Sequence, residues 1–191
     1  MVSIRSVIGE KDVSLHEPTF DETETKLLKE CVDSTFVSSV GSFVNQFEEA
    51  LVNFTGASHA IAVVNGTSAL QISLLLANVK KGDEVIVPSL SFVATANAVC
   101  YNGAIPHFVD CDYDTLGLNV NSLREHLNKV AILRNNVCLN KNTDRPIKAI
   151  IPMHTFGHPI QIDELIQLAN EYNLIIVEDA AESLGSFYKH K

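Results

Sequence analysis

Five short, largely apolar runs punctuate the chain, at residues 60–64, 84–87, 105–109, 147–151 and 174–177. None alternates in polarity. Between them lie stretches of helical periodicity at 66–77, 92–101, 120–130 and 162–172. A strand covered on both faces reads as an unbroken apolar run, and strands alternating with helices imply crossovers. The pattern predicts a three-layer α/β architecture: a mostly parallel sheet with helices on both faces and right-handed connections. Ahead of it, a helix is expected over 20–33, capped by Thr19 with Asp21 and Glu22 in its first turn. A second is expected over 42–54. There Phe43, Phe47, Leu51 and Phe54 share a face and Gly56 supplies the stop. Residues 1–18 show little periodicity and read as an N-terminal arm before a domain over 19–191. Residues 133–145 are polar and Asn-rich and read as a surface loop.

The 191 residues suffice for one sizeable core or for one domain cut before its end. A net charge of −9 argues against a nucleic-acid surface, which needs a basic patch. No window of about 18 apolar residues suggests a membrane span, and residues 1–6 carry no apolar signal segment. Cys31, Cys100, Cys111 and Cys138 are scattered without C-x-x-C spacing, which suits free thiols in the cytoplasm. His154 and His158 are four apart but flank Gly157 and precede Pro159, so they sit on a loop, and no metal site is expected.

The chemistry-bearing residues fall at successive strand ends, where open α/β sheets bind ligands. Asn65-Gly66-Thr67-Ser68-Ala69 follows the first run and opens a helix. Gly66 permits close backbone approach, and the amides of Thr67 and Ser68 at a helix start form a cup for an anionic phosphate. An ordinary N-cap is the alternative. Phe92, past the second run, could stack on a flat ring or simply belong to the core. His154 follows the fourth run and could contact a substrate or merely be exposed. After Ile175-Ile176-Val177 come Glu178 and Asp179. Neighbouring strand residues face opposite sides, so one of the two can enter the crevice, and the pattern leaves open which. A carboxylate buried there without a cation is costly, and a ligand cation relieves that cost. Phosphate cup, aromatic and carboxylate together describe a site for a flat phosphorylated pyridinium, pyridoxal 5'-phosphate (PLP).

These motifs resemble those of the DegT/DnrJ/EryC1/StrS sugar aminotransferases, PLP enzymes of the aspartate-aminotransferase-like fold. The resemblance rests on Phe36-Val37-Ser38-Ser39-Val40-Gly41, Asn65-Gly66-Thr67-Ser68-Ala69-Leu70 and Gly82-Asp83-Glu84-Val85-Ile86-Val87-Pro88. It extends through Ser91-Phe92-Val93-Ala94-Thr95, His154-Thr155-Phe156-Gly157-His158-Pro159 and Glu178-Asp179-Ala180-Ala181-Glu182-Ser183. It covers about residues 15–191. It implies a large PLP-binding domain in which Gly66, Thr67 and Ser68 hold the phosphate, Phe92 stacks on the ring and Asp179 pairs with the ring nitrogen. Glu182 stands where the family often has Gln or His, near the phenolic oxygen, and an ionised Glu182 would repel a phenolate. His154 is a candidate substrate contact. The implied activity is amination of a keto group on a nucleotide-linked sugar, with glutamate as donor, in a homodimer. The family also contains dehydratases with histidine in place of the Schiff-base lysine, and a non-catalytic binding module is a further alternative. The lysine is expected beyond Lys191, as is the small C-terminal domain. The 191 residues therefore read as a fragment or truncated gene product without turnover of its own.

Overall fold

The computed structural model describes residues 4–9 and 18–190. Most of the 1–18 arm lies outside that set; a short helix, α1 (Ile4–Ile8), falls within it. The chain divides into two compact units, 1–62 and 63–191, where the sequence suggested a boundary near residue 18.

The first unit is helical. Helix α2 (Glu22–Asp33) starts later than the sequence implied and is capped by Asp21, not Thr19. Asp21 accepts the Thr23 amide at 2.6 Å, while its own amide donates to Glu24 at 2.7 Å. This reciprocal capping box outcompetes a lone threonine. Helix α3 (Ser42–Thr55) stops at Gly56, whose φ of 73° closes the last turn. Phe47 and Phe54 on its apolar face remain exposed. The run at 60–64 is not a strand: no strand pairs with it among the described residues, the Ala62 amide donates instead to the Glu48 carboxylate at 2.7 Å, and Ile61 and Val64 are exposed.

The second unit carries the parallel sheet. Its strands are β1 (Glu84–Pro88), β2 (Ile105–Val109), β5 (Ile147–Ile150) and β6 (Ile175–Ile176), in the order β2-β1-β5-β6. Helices α4 (Gly66–Leu76) and α5 (Val93–Tyr101) pack on one face. There Leu70, Leu74, Ala98 and Val99 meet Val85, Val87, Ala149 and Ile151. Helices α6 (Val120–Val130) and α7 (Ile162–Glu171) cover the other, where Leu123, Leu127, Leu165 and Leu168 meet Ile86, Ile147 and Ile150. Successive β1 residues thus enter different cores, which is why the strand shows no polar alternation.

Residues 133–145 are not a plain surface loop. They contribute to an antiparallel hairpin, β3 (Ala131–Arg134) and β4 (Val137–Asn140). Asn135 and Asn136 turn it, both at positive φ (50° and 63°), the geometry of a two-residue hairpin loop that asparagine tolerates.

The hairpin is tied to the sheet through Glu84, which is buried at the start of β1. Its carboxylate accepts from Asn140 at 2.8 Å, Thr143 at 2.6 Å and the His107 ring at 2.8 Å. The other His107 nitrogen shares one hydrogen with His126 on α6 at 2.7 Å. Burial, then the neighbouring His107 and Lys129, hold the His126 pKa below its ordinary 6.5. A group whose folded pKa is depressed contributes stability above its unfolded pKa and loses it as pH falls. Stability is therefore expected to decline as pH drops below 6.5. Below about 4.5 the decline steepens as Glu84 and Glu178, both held below the usual carboxylate value, take up protons. Thermal denaturation of the wild type and His126→Asn across this range checks it: the variant should flatten the limb near pH 6 and leave the lower one. Identical slopes near pH 6 would count against the role of His126.

Candidate active site

Strand alternation decides which carboxylate enters the crevice. Ile176 packs into the α6/α7 core and Val177 into the α4/α5 core. Continuing that alternation sends Glu178 toward the first side and Asp179 toward the second. The backbone fixes this register. The Asp179 amide donates to the Pro152 carbonyl at 2.8 Å, and the His154 amide donates to the Asp179 carbonyl at 3.2 Å. Glu178 meets the His154 ring at 2.9 Å on its own side.

Asp179 is 6% exposed. The Thr95 hydroxyl, on α5, donates to its Oδ2 at 2.6 Å. The Ala181 amide reaches Oδ1 only at 3.4 Å, and no cation pairs with Asp179 among the described residues. The carboxylate lines a cavity of about 290 Å³ together with Gly66, Thr67, Phe92, Met153 and Glu182. That volume is at the small end for small-molecule sites.

The same cavity is lined by the N-terminus of α4. Asn65 caps it, its side chain accepting the Ser68 amide at 2.9 Å. The Ser68 amide is thus spent within the helix, and Ser68 does not line the cavity; the free-amide role expected of it passes to Gly66. The amides of Gly66 and Thr67 have no acceptor among the described residues. Unsatisfied amides at a helix start, with the helix dipole behind them, attract an anion. Phe92 occupies the N-cap of α5 and is 68% exposed, so it is not a core residue, and its ring flanks the cavity.

Glu182 lines the cavity as well, but its carboxylate accepts the Phe156 amide at 2.7 Å. Phe156 and Gly157 both have positive φ, 53° and 80°, so Glu182 braces a strained turn. His154 does not line the cavity; it is buried, and its Nδ1 accepts the Ile160 amide at 3.4 Å. It ties two strand ends together. Thr95 went unassigned from sequence, although its position one helical turn after Phe92 places both on one face of α5.

The donor set fits PLP. A buried carboxylate lacking a cation, an exposed aromatic and two free amides match a group that is cationic at one end, flat in the middle and anionic at its tail. A parallel sheet flanked by helices, with such a cavity at its carboxyl ends, defines the large domain of the fold type I PLP-dependent aminotransferases. The chain belongs to the DegT/DnrJ/EryC1/StrS aminotransferase family, whose sequence model matches residues 18–191.

Among curated relatives, GDP-perosamine synthase of Caulobacter vibrioides is 39% identical over 179 residues, 94% of this chain and 44% of that protein. Among solved structures, an aminotransferase from Psychrobacter cryohalolentis superposes with a TM-score of 0.77 at 30% identity, covering 90% of this chain and 40% of that one. The Escherichia coli GDP-4-keto-6-deoxy-D-mannose-3-dehydratase with bound hydrated PLP gives 0.76 at 27% identity, covering 94% and 43%. The chain spans less than half the length of the relatives it matches.

Proposed function

We propose that this chain supplies the PLP-binding face of an enzyme that aminates a keto group on a nucleotide-linked sugar, with glutamate as amino donor. The carrying observation is the single cavity that joins Asp179 to the free amides of Gly66 and Thr67. Asp179 would hold the protonated ring nitrogen, Phe92 would cover one face of the ring, and the α4 amides would take the phosphate. PLP, when bound, supplies a sink for the electron pair released at a carbon next to nitrogen. The protein's share is to keep a negative charge beneath the ring nitrogen. The apolar neighbours Leu70, Ala94 and Met153 limit water there and strengthen that charge. The relative named GDP-perosamine synthase supports a sugar nucleotide as substrate and amination as the reaction.

A second reading, removal of a sugar hydroxyl, is supported by the likeness to the dehydratase. Product analysis of the enzyme to which this chain contributes, with a GDP-linked 4-keto-6-deoxy sugar, separates the two: an amino sugar supports the first, a 3-deoxy sugar the second.

The cofactor site is tested on the 191-residue chain with pyridoxamine 5'-phosphate, which has no aldehyde to capture surface lysines. Calorimetry should find one saturable site. Pyridoxamine without its phosphate should bind at least about tenfold more weakly, since charge-assisted bonds to backbone amides are among the stronger ones. Equal affinities would remove the α4 amides from the site, and no saturable binding would overturn the reading.

A further inference from the structure

Thr95 is wholly buried, and its hydroxyl joins two polar partners. It donates to Asp179 Oδ2 at 2.6 Å and receives the Ser91 hydroxyl at 2.7 Å. The direction is forced. An ionised carboxylate only accepts, so Thr95 spends its one hydrogen on Asp179 and must itself accept from Ser91. Ser91 also lies 3.2 Å from the Met153 sulfur, but its single hydrogen serves the better acceptor, the Thr95 oxygen. A one-way chain therefore runs from Ser91 through Thr95 to Asp179.

We propose that Thr95, backed by Ser91, is a positioning residue that fixes the Asp179 carboxylate for a protonated ring nitrogen. The inference rests on the PLP reading above. Among the described residues Thr95 supplies the one close donor to Asp179, because the Ala181 amide at 3.4 Å is too far to orient the carboxylate firmly. With Oδ2 pinned from the α5 side, the carboxylate cannot swivel, and its remaining lone pairs are held toward the cavity. Donors ordered this way across a buried, water-poor site act together. Thr95 does not line the cavity, so its effect passes through Asp179.

That route defines the test. The 191-residue chain is titrated with pyridoxamine 5'-phosphate and with its 1-deaza analogue, which carries C–H in place of the ring nitrogen. The ratio of the two affinities reports the Asp179–nitrogen contact and nothing else. Thr95→Val keeps the shape and removes the hydroxyl, and should reduce the ratio about tenfold, the usual effect of a lost bond to a charged group. It should leave the affinity for the deaza analogue unchanged. Thr95→Ser should restore the ratio, and Ser91→Ala should lower it less than Thr95→Val does. Should the valine variant fail to fold, Thr95→Cys, with its weak S–H donor, is expected to give an intermediate ratio. Equal weakening toward both compounds, or an unchanged ratio in the variant studied, overturns the proposal. Failure of the parent reading looks different: the wild type itself would not discriminate between the two compounds, and Asp179→Asn would change nothing.

Discussion

Replacing Asp179 with asparagine is expected to weaken pyridoxamine 5'-phosphate binding by about 100-fold or more, without lowering the melting temperature of the free chain. Both halves follow from one fact. Asp179 is 6% exposed and meets no cation among the described residues, so in the free chain its charge is held at a cost in solvation. A ligand cation relieves that cost, and removing one member of a buried ion pair typically costs about 3–5 kcal/mol. At about 1.4 kcal/mol per factor of ten, this exceeds two decades in affinity. Asparagine keeps an oxygen for the Thr95 hydroxyl and fits the same space, so the fold does not suffer. Sites that trade stability for function commonly show this opposition. Calorimetric titration and thermal denaturation of the same preparation check both halves. Binding within twofold of the wild type would remove Asp179 from the site.

Glu84→Ala has the largest expected effect on folding. The side chain is 4% exposed and gathers three donors from three segments: Asn140 on β4, Thr143 beyond it and His107 on β2. Deleting the acceptor leaves the buried Asn140 and the partly buried His107 unmet, with a cavity beside them, while the exposed Thr143 can turn to water. A loss of about 3–5 kcal/mol is expected. For a domain of ordinary stability, about 5–15 kcal/mol, that is about a fifth or more of the whole. Urea denaturation measures it, and hydrogen exchange should show the β3–β4 hairpin losing protection before the parallel strands. A loss under about 1 kcal/mol would show that Asn140, Thr143 and His107 find other partners.

The parallel layers were legible because a doubly covered strand leaves a plain mark: Glu84-Val85-Ile86-Val87 and Ile147 through Ile151 sit between two cores and have no polar side. The same signal misled at 60–64, because an apolar run records a preference for burial and not the presence of a partner strand. The hairpin was hidden by its turn. Asn135-Asn136 reads as loop composition, yet asparagine is one of the few residues that accepts positive φ twice in succession. At the site, the choice between Glu178 and Asp179 required knowing which core holds Val177, a fact of packing. The Ser68 amide is not free because Asn65, beside the glycine turn, caps the helix, which the residue type alone does not distinguish from a turn role. Thr95 escaped notice because a helical threonine is unremarkable until a carboxylate 84 positions away in sequence meets it.

Strand β1 has its polar anchor, Glu84, at one end and leads into the Ser91–Thr95 segment at the other. The strand's rise of about 3.3 Å per residue puts roughly 13 Å between its first and last Cα atoms. Substitutions that far apart, sharing no partners, combine additively. A combinatorial library over 89–95 can therefore reshape ligand preference without drawing on the hairpin anchor. A stabilising change around Glu84, in turn, offers reserve for costly site variants while leaving the ligand's surroundings untouched.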